Sequence, residues 1–100
     1  MDKKWFTLNN KRVEAYCKKY HIIYFALFGS ILTHSFNTAS DVDVLVTFDE
    51  KYTPSFFDLV DMESELTSII EWKVDLKTPE DLSSYFRDEV VALAEVIYCE

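Results

Sequence analysis

One hundred residues, 49% of them hydrophobic and with a formal net charge of −8, are expected to make one domain, large enough to bury a core with little room for a second one. The acidic balance excludes long nucleic acid as the main partner, because phosphate binding draws on clustered Lys and Arg, whereas a small nucleotide carried with cations or a basic partner surface stays compatible. No apolar stretch reaches the about 18 residues of a membrane span, and the start, Met-Asp-Lys-Lys-Trp-Phe-Thr, lacks a signal-peptide core, so a single cytoplasmic domain over residues 1–100 is expected.

From Asn9 or Asn10, a capping residue, to Tyr20, the residues Val13, Tyr16, Cys17 and Tyr20 recur at helical spacing among Lys and Glu. The spacing predicts an amphipathic helix. Ile22-Ile23-Tyr24-Phe25-Ala26-Leu27-Phe28 follows, a β-branched and aromatic run of strand length that reads as buried on both faces. Gly29-Ser30 is a turn, Ile31 to about Phe36 a short helix or loop, and Asn37-Thr38-Ala39-Ser40 a polar turn. Asp41 to Phe48 is the second strand.

After a loop ending in Pro54, Ser55 caps a helix whose N3 residue is Asp58, and Phe56, Leu59, Val60, Glu63, Leu66, Ile69 and Ile70 run along its inner side. Glu63 is the polar exception. Glu71 to Lys77 alternates as a third strand, Trp72, Val74 and Leu76 on one face and Glu71, Lys73, Asp75 and Lys77 on the other. Thr78-Pro79-Glu80-Asp81 starts a final helix that offers Tyr85, Phe86, Val90, Leu93, Ala94 and Ile97 to the core, with Ile97-Tyr98-Cys99 as an alternative terminal strand. Trp5, Phe6, Tyr52, Phe56 and Phe57 read as mostly core aromatics, although the adjacent Phe56 and Phe57 cannot share one helix face. Cys17 and Cys99 form no CxxC pair and are expected reduced and packed. The expected architecture is α/β or α+β, a small mixed sheet with helices on one face and the other face free for ligand.

Asp41 and Asp43 are the chemical centre of this pattern. Two residues apart in a strand, they point to one side with Cα atoms roughly 6.6 Å apart, while Val42 and Val44 face the core. Asp75 on another strand adds a third carboxylate. Carboxylates so placed suit two-metal phosphoryl or nucleotidyl transfer, and a Gly-Ser turn at a helix start suits a triphosphate.

Phe28-Gly29-Ser30, ten residues, then Asp41-Val42-Asp43-Val44 resembles the hydrophobic-Gly-Ser and Asp-hydrophobic-Asp-hydrophobic signature of the DNA polymerase β-like nucleotidyltransferase superfamily, and Val74-Asp75-Leu76 is similar to its third-carboxylate strand. The ending Val-Asp-Leu-x-Thr-Pro-Glu-x-Leu, followed by Arg-Asp-Glu, resembles the minimal nucleotidyltransferases, the MNT family. The resemblance implies that Asp41, Asp43 and Asp75 bind Mg²⁺, two ions in all, that Asp75 helps position or deprotonate the attacking hydroxyl, and that Gly29 and Ser30 contact the triphosphate of ATP. It further implies an antitoxin that moves AMP from ATP onto a tyrosine hydroxyl of a HEPN-domain ribonuclease toxin, with which it forms a hetero-oligomer. Close relatives read Gly-Ser-x-Ala-Arg-Gly-Glu where this chain has Leu32-Thr33-His34-Ser35, and no Lys or Arg lies between Lys19 and Lys51. That departure supports a second reading, in which the same fold is a binding module that neutralises its partner by contact alone.

Overall fold

The computed structural model describes residues 9–100, and Trp5 and Phe6 lie outside them. Its first helix, α1, covers Asn10–Lys19. Asn9 caps it, its Oδ1 accepting from the Lys11 amide at 3.0 Å and the Arg12 amide at 3.1 Å, so two of the donors that a helix start leaves open are satisfied. Lys18 and Lys19 fill the last turn, where the helix dipole favours cations. Val13, Tyr16 and Cys17 form the buried stripe, as the spacing predicts.

Four strands follow: β1 (Ile22–Phe28), β2 (Val42–Phe48), β3 (Val74–Lys77) and β4 (Glu95–Cys99), in the spatial order β3-β2-β1-β4. β1 pairs antiparallel with both β2 and β4, whereas β2 and β3, joined through a helix, run parallel. The sheet is mixed, as expected. Its register sets Phe28 opposite Asp43 across β1 and β2, and Asp43 opposite Asp75 across β2 and β3.

The second helix, α2 (Phe56–Ile70), opens with a full capping box: the Asp58 amide donates to Ser55 Oγ at 3.1 Å and the Ser55 amide donates to Asp58 Oδ2 at 2.9 Å. With α1 it covers one face of the sheet. There Tyr16, Phe25, Leu27, Val42, Val44, Val46, Met62 and Leu66 form a single buried cluster. Burying each large apolar side chain of this kind contributes about 1.5 to 3 kcal/mol. The Tyr16 hydroxyl, within the cluster, donates to the Met62 carbonyl at 2.8 Å and so ties α1 to α2.

Ala26 and Leu45, which alternate to the opposite face, are also fully buried. A 3₁₀ turn at Pro79–Asp81 touches β2, and a short third helix, α3 (Arg87–Leu93), touches β1; Pro79 and Val91 lie beside Leu45 and Thr47. Arg87 joins the two pieces, its Nε donating to the Pro79 carbonyl at 2.7 Å and its Nη2 to that of Leu82 at 3.2 Å. The second face therefore has a thin cover of its own beside the carboxylates.

Several expectations about local structure need correction. β3 is only Val74–Lys77, because Glu71 adopts φ 63°, ψ 37° as the left-handed cap of α2 and so cannot begin a strand. β2 begins at Val42, leaving Asp41 as the last residue of the preceding loop. The inner stripe of α2 is Met62, Leu66, Ile69 and Ile70, with Phe56 74% and Phe57 78% exposed. Thr78 forms its capping box with Asp81, but the turn it starts lasts only three residues, and α3 begins later. Tyr85, Phe86 and Leu93 are exposed instead of buried, Tyr85 by 90%, and Ile97 belongs to β4. Cys17 is buried and Cys99 exposed, both free thiols. Among the described residues, no helix is long and apolar enough to cross a membrane.

Candidate active site

Strand alternation places Asp43 on the face of β2 turned away from α1 and α2, with Val42 and Val44 fully buried on the other side. Its register partner Asp75 occupies the same face of β3. Partners directly opposite in neighbouring strands project together, so the two carboxylates share one patch of the sheet. Asp41, one step before β2, contributes a third negative charge to it.

Electrostatics report the crowding. Burial, first, and then the carboxylates of Asp75 and Asp41 push the Asp43 carboxyl up from 3.8 to about 6, against a smaller opposing pull from Lys77. Two cations already stand at the flanks: Lys73 Nζ is 3.8 Å from Asp41 Oδ2, and Lys77 Nζ is 3.5 Å from Asp75 Oδ1. Both pairs are largely solvated and contribute little to stability. Neutralising Asp43, by a proton or by a cation, relieves its repulsion with Asp75 and Asp41.

Gly29 abuts this carboxylate. It adopts φ 76°, in the left-handed region, and a Cβ built on it would overlap Asp43 Oδ2 and stand 3.2 Å from Asp43 Cγ. Two independent demands, backbone conformation and clearance, thus require glycine at this position. The turn continues as a 3₁₀ helix, Gly29–Leu32, anchored by the buried Ile31. Thr33 closes it, donating from its amide at 3.0 Å and its hydroxyl at 2.9 Å to the Ser30 carbonyl. Ser30 is half-buried beside Gly29, and His34 is exposed.

Two supporting contacts escape a reading by motif. The Trp72 indole donates to the Ser40 carbonyl at 2.7 Å, holding the loop that delivers Asp41. Glu63 Oε2 accepts from the Leu76 amide at 3.0 Å, fastening β3 to α2 next to Asp75. Glu63 is visible in the sequence as the one polar residue on an apolar helix side, which is the signal for an acceptor facing inward; Trp72 offers none. Thr33 is visible only as a turn residue.

The donor set is all oxygen and all carboxylate, the chemistry of a hard divalent cation such as Mg²⁺. Among the described residues, no three His, Cys, Asp or Glu side chains stand close enough to hold an ion as they are. The residues nonetheless fit one: Asp43 is under electrostatic pressure that a cation relieves, and the cradle left by the absent Gly29 side chain keeps one of its oxygens in place.

The chain is 38% identical over 64 residues to a candidate protein adenylyltransferase of Methanocaldococcus jannaschii, a match covering 64% of this chain and 64% of that protein. It therefore spans a little under two thirds of the length of that curated relative. The fold is similar to that in a crystal structure of a toxin–antitoxin with AMP-PNP, with a TM-score of 0.73 and 20% identity over 93% of this chain and 75% of the other. It is similar also to a chain of the complex of tri-AMPylated Shewanella oneidensis HEPN toxin with MNT antitoxin, with a TM-score of 0.65 and 17% identity over 91% of this chain and 70% of the other. At these identities the structural likeness is one of fold. The family model of polymerase beta nucleotidyltransferases matches residues 11–100, and with the Gly-Ser turn and the paired strand carboxylates beneath that match, the chain belongs to the polymerase beta nucleotidyltransferase family.

Proposed function

We propose that this protein is a Mg²⁺-dependent adenylyltransferase of the cytoplasm that transfers AMP from ATP to a tyrosine hydroxyl of a HEPN ribonuclease toxin and so acts as its antitoxin. The observation that carries the reading is the convergence of Gly29, Asp43 and Asp75 at one end of the sheet. The adenylyltransferase relative and the toxin–antitoxin fold neighbours support the choice of donor and partner.

In this reading Asp41, Asp43 and Asp75 hold the metal, which when bound supplies positive charge to the phosphates and lowers the barrier to attack at phosphorus. Gly29 and Ser30 present the 3₁₀ turn to the β- and γ-phosphates. The acceptor oxygen forms a bond to the α-phosphorus, the bond from that phosphorus to the bridging oxygen breaks, and pyrophosphate leaves. Asp75 orients the hydroxyl and takes its proton, which passes on to water.

The test is intact mass spectrometry of the toxin co-expressed with wild type or with the Asp41→Asn/Asp43→Asn double variant. AMP on the toxin with wild type alone is the expected result. An unmodified toxin bound equally by both proteins favours the second reading, contact neutralisation, which has its own support in the absence of Lys and Arg between residues 19 and 51 and in the exposed pair Phe56 and Phe57.

A further inference from the structure

A cavity of about 690 Å³ opens between the 3₁₀ turn and α3, walled by Phe28, Gly29, Leu32, Phe86, Glu89 and Leu93 among others. It shares Gly29 with the phosphate turn. Phe28 is the register partner of Asp43, so its side chain lies on the carboxylate face, and Gly29, which also lines the cavity, abuts the Asp43 carboxylate. The size is that of a small-ligand site, large enough for a bicyclic base with its ribose.

Resting on the nucleotidyltransferase reading, we propose that this cavity is the nucleobase site, and that Glu89 selects a purine bearing an exocyclic amino group. The walls are largely aromatic and aliphatic, with Phe28 and Phe86 among them, a lining that suits the flat, stacking end of a nucleotide. Among the described residues, no Lys or Arg lines the cavity and the one charged residue there is Glu89, which disfavours phosphate in the cavity itself. A carboxylate accepts hydrogen bonds only; it rewards an amino group and penalises a carbonyl oxygen in the same place. Sheet order assigns the remaining direction. The cavity lies at the β1 end and Asp75 on β3, with β2 between them, so the base extends to one side of the carboxylates and the acceptor hydroxyl arrives from the other.

The experiment titrates the full chain, labelled for NMR, with Mg²⁺ and one of three probes: ATP, ITP, which has a carbonyl in place of the amino group, or tripolyphosphate, which has no base. Wild type is expected to bind ATP about tenfold more tightly than ITP, the effect of one hydrogen bond to a charged group. ATP should shift the Phe86 and Leu93 signals together with those of Gly29, while tripolyphosphate shifts Gly29 alone. Glu89→Leu should erase the preference for ATP over ITP. Phe86→Ala should weaken both nucleotides about tenfold and leave tripolyphosphate unchanged. Glu89 and Phe86 are both exposed, so the two variants fold. If ATP leaves Phe86 and Leu93 unshifted, or Glu89→Leu keeps the preference, the base site is wrong while AMP transfer, measured separately on the toxin, still stands. If neither ATP nor tripolyphosphate binds, both readings fall together.

Discussion

The two faces of β2 are built to opposite rules from one run of residues. Val42, Val44 and Val46 point into the α1 and α2 layer and are fully buried, while Asp43, between them, points into a patch where it meets two further carboxylates. The apolar face gains stability from every atom it removes from water. The other face gives some up, because it holds like charges together at the edge of a low-dielectric interior. A fold that stored its ligand-binding energy this way would be marginal without the dry layer behind it, and the alternation of the strand lets one element supply both.

The sharpest way to separate the faces is Asp43→Asn. Transfer to the toxin should drop at least about a thousandfold, the scale of several kcal/mol of charge stabilisation, with no loss of thermal stability. On the other face, Leu66→Ala should destabilise by about 3 kcal/mol through the cavity it leaves, with normal transfer per folded molecule, measured by urea unfolding beside a toxin-modification assay. Gly29→Ala should resemble the first variant more than the second. Its methyl must displace the Asp43 carboxylate, so a transfer loss of about a hundredfold is expected with a stability cost of only about 1 kcal/mol for the left-handed φ. Tyr16→Phe, which takes its hydroxyl donor from the Met62 carbonyl, should cost about 1 kcal/mol and leave transfer unchanged.

The smallest effect concerns pH in metal-free buffer. The Asp43 carboxyl is raised in the folded state, so the native protein holds that proton more tightly than the unfolded chain. Its contribution to stability is complete below about pH 4 and is lost as pH rises through about 6. Asp43→Asn should accordingly be more stable than wild type at pH 7 by about 1 kcal/mol, a figure reduced for the solvent access of a half-buried group, and the gap should close on acidification. A gap that stays constant from pH 4 to 7 would show that the carboxylates do not strain the fold.

What is legible in the sequence follows from how local its cause is. Asn9 and Ser55 cap the helices they precede because capping needs only the next three residues, and Asp43 faces away from the core because a strand with buried valines on both sides leaves it no other direction. The rotation of α2 is not legible. Phe56, Val60 and Met62 offer competing apolar stripes, and the one buried, Met62 with Leu66, Ile69 and Ile70, is fixed by packing against distant strands, with Glu63 accepting from the Leu76 amide beside it. The truncation of β3 likewise depends on Glu71 turning left-handed to end α2. Hydrophobicity alone sends the C-terminal aromatics to the core, a criterion blind to a cavity wall: Phe86 borders open space between α3 and the 3₁₀ turn at Gly29–Leu32. Of the candidate site residues, Gly29, Ser30, Asp41, Asp43 and Asp75 all lie at one end of the sheet, with Asp41 in the loop and not in the strand. Asp75 arrives by register, which no spacing within a single strand reveals.

The pairing of β2 with β3 also bears on when the protein becomes competent. Gly29 and Asp43 meet through an antiparallel pair joined by a short excursion of chain, whereas Asp75 reaches them only after α2 has crossed over and docked in parallel. Loop closure over the longer span is the slower event. The carboxylate patch is therefore complete only when both pairings are in register, one local and one long-range. Completeness of the patch is in this sense a report on the fold itself: Asp75 stands beside Asp43 only where β3 has paired with β2 in the native register.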